Sequence, residues 1–142
     1  TDDLIVQKAD STISEIVEQH GWPKFRKLEH EICEEVSAFD EHVISTGGGL
    51  IIDRKNEQLL RENGQIVLLY RTPENCTKRI LKGSKERPPL TDRDIKNPKE
   101  LEAELTEIWN KREKRYRQSS DLIIDVNKEI EPEEILEKLQ DV

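Results

Sequence analysis

A nearly continuous apolar run at residues 65–70 (QIVLLY) constrains the fold of this chain more than any other feature. Such a run is typical of a strand that is buried on both faces, as strands of parallel sheets are. A second apolar segment, at residues 122–124, predicts another strand. Because helix-like segments separate the predicted strands, the sequence favours an α/β fold with a parallel sheet between two layers of helices.

Helix signals fill the intervals between the predicted strands. Thr12 and Glu15 have the spacing of a capping box, Gly21 is a helix-ending residue, and Pro23 suits a first helical position. Apolar residues then recur at three- and four-residue steps. We predict helices at residues 3–8, 12–19, 23–38, 54–63, 99–118 and 132–139, a further helix that opens at 72–74, and a strand at 42–46.

The composition argues against two classes of protein, nucleic-acid binders and membrane-spanning proteins. Apolar residues make up 33% of the chain and charged residues 38%, with a net charge of −8. The apolar residues fall in periodic blocks, so we expect one folded domain over residues 1–142. An acidic balance argues against a nucleic-acid binder, and no apolar run is long enough to cross a membrane. We expect a cytoplasmic monomer in which the two cysteines are reduced and the three histidines are solvent-facing or capping.

Residues 83–98 break the periodicity, since one glycine and three prolines stand there among charges. A long irregular segment in a compact domain is typical of a mobile lid over an active site. Arg87 in this segment can reach the negative charge that develops on a transferring phosphoryl group. The alternative is an ordinary charged loop.

Three consecutive glycines, Gly47, Gly48 and Gly49, follow the predicted strand at 42–46. In open parallel sheets, ligands bind beyond the carboxyl ends of the strands. Glycines at such a place let exposed backbone amides approach a ligand closely. The alternative is a plain tight turn.

Two charged segments are candidates for binding an anion. Arg26 and Glu29 are three positions apart on a predicted helix, so Glu29 can hold the guanidinium for a bidentate contact with a carboxylate. The alternative is a surface ion pair of little consequence. Five cations stand within residues 111–117. They suit the end of a helix, or else one of them points into a site and binds an anion.

Taken together and in order, five motifs resemble those of the shikimate kinase family. The resemblance rests on TDDLI at 1–5, FRKLE at 25–29, ISTGGG at 44–49, ERPPL at 86–90 and KREKRY at 111–116. These segments are similar to the family's Asp-Thr-Asp-x-x-Ile, Phe-Arg-x-x-Glu, strand-plus-triple-glycine, Arg-Pro-x-Leu and Arg-x-x-x-Tyr motifs. The resemblance implies a P-loop kinase fold and a small-molecule phosphotransferase.

The implied reaction transfers the γ-phosphoryl group of ATP, with Mg²⁺, to the 3-hydroxyl of shikimate, a step toward chorismate and the aromatic amino acids. By resemblance, Asp2 hydrogen-bonds that hydroxyl and acts as its general base. Arg26 and Arg112 bind the substrate carboxylate, and Glu29 keeps Arg26 aimed. Arg87 stabilises charge on the transferring group.

The resemblance implies further contacts. The backbone of Gly47, Gly48 and Gly49 approaches the ring of shikimate. Ser45 orients a water molecule on Mg²⁺, while no residue of this chain binds the metal directly. Arg79 and the stretch 126–132 line the adenine pocket.

One family motif does not occur. No Gly-x-x-x-x-Gly-Lys-[Ser/Thr] phosphate loop stands in residues 1–142. We therefore expect an incomplete sheet that lacks the family's first two strands. Roughly 30 further residues before Thr1, or another segment, would supply the strand and the loop. The activity of these residues alone is left open. The alternative function is an inactive regulatory domain that binds a small carboxylate.

Overall fold

The structure, a computed structural model, describes residues 1–83, 88, 90, 96–128 and 130–140. They form two compact units, the first built on Thr1–Gly64 and the second on the helices and strands from Gln65 onward. A single domain with a lid at 83–98 stays a prediction, and most of the predicted lid, Arg87 included, lies outside the described residues.

The first unit is helical. It contains α1 (Asp2–Ala9), α2 (Ile13–Ser37), a 3₁₀ turn (Leu50–Ile52) and α3 (Arg54–Asn63). The predicted capping box is confirmed: the Glu15 amide donates to Thr12 Oγ1 at 3.2 Å, and the Thr12 amide donates to Glu15 Oε2 at 2.8 Å. Two backbone donors that a helix start leaves unpaired are thereby satisfied.

A kink at Gly21 divides α2. Gly21 has φ 74° and ψ 170°, a backbone conformation that is almost confined to glycine. Pro23 follows two positions after Gly21, where the new helical turn needs no amide donor. The sequence predicted two helices that meet here, and the structure joins them as one kinked element.

The core of the first unit lies between α1 and the two halves of α2. Its buried side chains come from successive turns of these helices, and they are Ile5, Ile16, Phe25, Leu28, Ile32 and Val36. Ile44 packs against the same cluster from the segment that follows α2. This cluster orients the half of α2 that carries Arg26 and Glu29.

The predicted strand at 42–46 is wrong, because the structure has no strand there. A strand requires a neighbouring backbone to pair with, and this segment forms no ladder with any residue that the structure describes. Val43 is fully exposed, which is not the environment of a strand in a buried sheet.

The second unit combines strands and helices. It contains β1 (Val67–Tyr70), α4 (Pro73–Lys82), α5 (Pro98–Ser119), β2 (Leu122–Asp125) and α6 (Pro132–Gln140). The two strands pair in parallel, with Val67 opposite Leu122 and Tyr70 opposite Asp125. The predicted parallel α/β arrangement is confirmed, and α4 packs against α5.

Burial of β1 on both faces is a prediction that the structure contradicts. Leu69 is 55% exposed, and Ile123 on β2 is 39% exposed. A strand is covered on both faces only where neighbouring strands and helices lie over it, and within the described part of this unit the sheet has two strands. None of the helices that the structure describes combines the length and apolar content needed to span a membrane.

Candidate functional site

An ion pair on α2 is the centre of the candidate site in the first unit. Arg26 Nη1 donates to Glu29 Oε2 at 2.5 Å, as the three-residue spacing predicts. The Glu29 side chain is 3% exposed and that of Arg26 is 37% exposed. A buried carboxylate thus holds an arginine that remains partly exposed, and this arrangement suits binding a second carboxylate.

Aromatic rings and a glycine surround the same guanidinium. Arg26 Cζ lies 5.4 Å from the Trp22 ring centroid and 5.2 Å from that of Phe25. These are distances at which a cation is attracted to the face of a ring. On the other side, a Cβ placed on Gly49 would lie 2.6 Å from Arg26 Nη2. A side chain at this position would force the guanidinium to move, so glycine suits this close approach of the backbone.

The glycine run forms a tight turn rather than the end of a strand. The Leu50 amide donates to the Gly47 carbonyl and the Ile52 amide to the Gly49 carbonyl, both at 3.2 Å. The start of α1 holds the turn from the other side, because the Gly47 amide donates to Thr1 Oγ1 at 3.3 Å. The Thr1 nitrogen also donates to the Ser45 carbonyl at 2.7 Å.

Asp2 lies at the same turn. A Cβ on Gly47 would be 3.1 Å from Asp2 Oδ1 and 3.7 Å from Glu29 Oε1. Asp2 is exposed in the first turn of α1, where acidic side chains are favoured. The first unit therefore brings together five of the predicted positions: Asp2, Arg26, Glu29, Gly47 and Gly49. Gly48 lies between the two glycines of this turn.

Sequence reasoning missed Asn56, a buried residue of α3. Its Nδ2 donates to the Leu50 carbonyl at 3.1 Å, and its Oδ1 accepts a hydrogen bond from His30 Nδ1 at 2.6 Å. The expectation that all three histidines are solvent-facing or capping is wrong for His30, since this half-buried ring binds a buried amide. The one available signal was the position of Asn56 shortly after the triple glycine.

The buried thiol near this network is not a candidate nucleophile. Burial and, after it, the negative charge of Glu29 raise the pKa of Cys33 from 9.0 to about 11. The reactive form of cysteine is the thiolate, which is scarce at neutral pH for such a pKa. Cys33 Sγ instead donates to the Asn56 carbonyl at 3.6 Å.

The second unit contains the other predicted cations. Arg112 is half-buried on α5 and makes no hydrogen bond or ion pair with any residue that the structure describes. Its neighbours differ: Lys111 pairs with Glu107 at 2.5 Å, and Arg117 pairs with Glu113 at 2.9 Å. Arg79 is exposed in the last turn of α4. Among the candidate cations at 111–117, Arg112 is thus one that lacks an acidic partner within the described chain.

Polar contacts also tie together the carboxyl ends of β1 and β2, and sequence reasoning missed them. Arg71 donates to the Val126 carbonyl from Nε at 3.0 Å and from Nη2 at 2.7 Å. Asn127 Oδ1 accepts from the Thr72 amide at 2.8 Å and from Asn75 Nδ2 at 3.1 Å. Ligands of parallel sheets bind at this edge, and these bonds fix Val126 and Asn127, the start of the stretch that was predicted to line the adenine pocket.

Several predicted contacts stay predictions. Arg87 lies outside the described residues, and Arg26 and Arg112 belong to different units, so their joint grip on one carboxylate is not tested. The residues described here contain no group of three or more His, Cys, Asp or Glu side chains that would bind a metal ion.

The chain is similar to known proteins along its whole length. The family model described as Shikimate kinase matches residues 1–142. Shikimate kinase 2 of Photorhabdus laumondii is 32% identical over 142 residues, which are 100% of this chain and 78% of the relative. Shikimate kinase of Caldicellulosiruptor saccharolyticus is 47% identical over 94 residues, 66% of this chain and 54% of that protein. The match thus spans about half the length of that relative.

Solved structures agree with the predicted fold. A shikimate kinase from Acinetobacter baumannii in complex with shikimate matches with a TM-score of 0.82 and 27% identity, over 99% of this chain and 76% of that one. A shikimate kinase from Bacteroides thetaiotaomicron matches with a TM-score of 0.81 and 26% identity, over 99% and 77% of the two chains. The predicted α/β kinase fold is confirmed by these similarities.

Proposed function

The chain belongs to the shikimate kinase family, and from that premise we propose that the protein transfers the γ-phosphoryl group of ATP to the 3-hydroxyl of shikimate. The relatives that match it carry the name of this enzyme, and one matched structure contains shikimate. The reaction requires a site that binds a carboxylate at one end of a small ring and a hydroxyl at the other.

The geometry of Arg26 is the observation that carries the proposal. Its guanidinium is held by buried Glu29 and lies against the glycine turn, with the Asp2 carboxylate near the same turn. We assign the carboxylate of shikimate to Arg26 and its 3-hydroxyl to Asp2, which accepts the hydroxyl proton as phosphoryl transfer proceeds. The Gly47, Gly48 and Gly49 backbone contacts the ring between them.

Arg112 is the second cation of the proposed carboxylate grip. Arg112 is half-buried and has no acidic partner among the described residues. A ligand carboxylate would supply that partner. Two guanidinium groups can each donate paired N–H bonds to the same carboxylate, which fixes the orientation of the ring.

ATP and Mg²⁺ complete the proposed reaction. Mg²⁺ usually keeps several waters and binds through phosphate oxygens with one or two carboxylates. Ser45 is proposed to orient one of its waters, Arg79 to contact the adenine, and Arg87 to stabilise charge on the transferring group. We further propose a monomer in the cytoplasm.

A coupled ADP-release assay on the full-length protein, with and without shikimate, tests this function. We expect ADP formation that depends on shikimate and saturates with it. Arg87→Ala should lower kcat with little change in KM for shikimate, whereas Arg54→Ala, an exposed arginine of α3, should behave as wild type. Shikimate binding without ADP formation would instead favour the inactive regulatory domain.

A further inference from the structure

A buried asparagine connects α2, α3 and the turn that follows the glycine run. Asn56 is 2% exposed and lies in the first turn of α3. Its Nδ2 donates to the Leu50 carbonyl at 3.1 Å, and its Oδ1 accepts from His30 Nδ1 at 2.6 Å. Both ends of this amide are therefore used, each by a different part of the first unit.

The hydrogen bond from Asn56 to Leu50 fixes the backbone that directly follows the three glycines. Leu50 is fully buried, and its amide donates to the Gly47 carbonyl while its carbonyl accepts from Asn56. Because glycines impose little conformational preference of their own, the direction of the Gly47–Gly49 amides depends on bonds made by the residues around them. The bond from Asn56 is one that reaches the turn from a separate helix.

The hydrogen bond from His30 to Asn56 links the same turn to α2. His30 directly follows Glu29, the carboxylate that holds Arg26. The helical turn that aims the guanidinium is thus also the one that positions Asn56. A Cβ on Gly49 would lie only 2.6 Å from Arg26 Nη2, so the glycine backbone lies in direct contact with the guanidinium, and a displacement of the turn would alter that contact.

We propose that Asn56 is a positioning residue for shikimate binding: through Leu50 and His30 it fixes the Gly47–Gly49 backbone against the Arg26 guanidinium. The inference rests on the proposed function and extends it to a residue that contacts no substrate. It assigns to Asn56 an effect on the affinity for shikimate, which the proposed function places beside both the guanidinium and the glycine turn, and none on ATP.

Steady-state kinetics of the full-length protein with Asn56→Ala tests the inference. We expect KM for shikimate to rise about tenfold, the effect of losing about 1.4 kcal/mol, with KM for ATP within about twofold of wild type. His30→Ala removes only the bond to α2 and should raise KM for shikimate by a smaller factor. A general loss of folding would lower the active fraction, and so kcat, and leave both KM values unchanged.

Asn63→Ala is the matched control, because Asn63 is an exposed asparagine at the end of the same helix that donates to the Ser37 carbonyl at 3.2 Å. Its KM values should match wild type. If Asn56→Ala does not fold, Asn56→Leu nearly keeps the side-chain volume, adds no charge and removes both hydrogen bonds.

The outcomes separate the two claims. Unchanged KM for shikimate in a folded Asn56 variant, or equal rises for shikimate and ATP, overturns the inference while the enzyme remains active. Absence of shikimate-dependent ADP formation by wild type overturns the proposed function, and the inference with it.

Discussion

The two units hold their candidate arginines in opposite ways. Arg26 in the first unit has a buried acidic partner at 2.5 Å, and two aromatic rings and a glycine backbone lie against its guanidinium. Arg112 in the second unit is also half-buried, yet it bonds to no residue that the structure describes. Under the proposed function, one cation is fixed before a ligand arrives, and the other would gain its partner from the ligand.

Because of this difference, we expect the two arginines to contribute differently to ligand binding and to the stability of the fold. A guanidinium held by its own protein loses little freedom on binding, which favours affinity and orientation. The same ion pair with Glu29 also contributes to the stability of the folded protein. In the proposed site, Arg112, which has no partner among the described residues, would contribute to binding alone, so removal of the two arginines should affect stability differently.

Arg26→Ala should give the largest combined effect on shikimate affinity and on stability, because it removes a proposed ligand contact and an internal ion pair together. We expect the Kd for shikimate to rise about a hundredfold, as charge-assisted hydrogen bonds are lost. The free energy of unfolding should fall by about 2 kcal/mol, since buried Glu29 loses a charged partner that is itself partly exposed. Calorimetry and chemical denaturation measure the two quantities.

Arg112→Ala should weaken shikimate binding by a similar factor of about a hundred but change the free energy of unfolding by less than about 0.5 kcal/mol. The reason is that no protein group in the described chain depends on this guanidinium. The same two measurements apply. A loss of stability equal to that of Arg26→Ala, or wild-type binding, would contradict the distinction between the two units.

Gly21→Ala tests how strongly α2 is held at its kink. The backbone at Gly21, with φ 74° and ψ 170°, strains any residue with a Cβ, so we expect a loss of about 1–3 kcal/mol of stability. Gly83→Ala in the second unit is the control, because Gly83 has φ −79° and any residue adopts that conformation. Thermal denaturation of both variants should show a lower Tm only for Gly21→Ala.

The smallest expected effect is a change with salt in the pKa of two glutamates, one in each unit. Hydrogen bonds from Thr12 and Ser11 lower the pKa of Glu15 below 4.5, whereas a hydrogen bond and the charge of Lys78 lower that of Glu74. A lowered pKa stabilises the fold above the ordinary pKa, and this contribution is lost as pH falls through the lower value. Titration by NMR should show that about 0.5 M salt raises the pKa of Glu74 more than that of Glu15. Equal responses would contradict these causes.

Helix positions follow closely from sequence because their signals are local. The predicted helix at 54–63 coincides with α3 (Arg54–Asn63), and α4 begins at Pro73 behind its cap Thr72. Caps depend on side chains within a few residues of the helix end. The predicted strand at 42–46 failed because a strand depends on a partner distant in sequence, and the exposure of Leu69 was missed for the same reason.

The candidate site was predictable only in part. The pairing of Arg26 with Glu29 follows from helical spacing. The bonds of Asn56 to His30 and Leu50 join residues 26 and 6 positions apart, through one polar residue in a largely polar helix. No local pattern distinguishes such a residue from its exposed neighbours, and only the packing of α3 against α2 reveals it.

The most direct test of the account compares shikimate with its methyl ester, which lacks the carboxylate charge, by calorimetry on wild type and Arg26→Ala. The account predicts that wild type prefers the acid by about a hundredfold and that Arg26→Ala loses most of that preference. An undiminished preference for the acid in Arg26→Ala would contradict the claim that this held guanidinium binds the carboxylate.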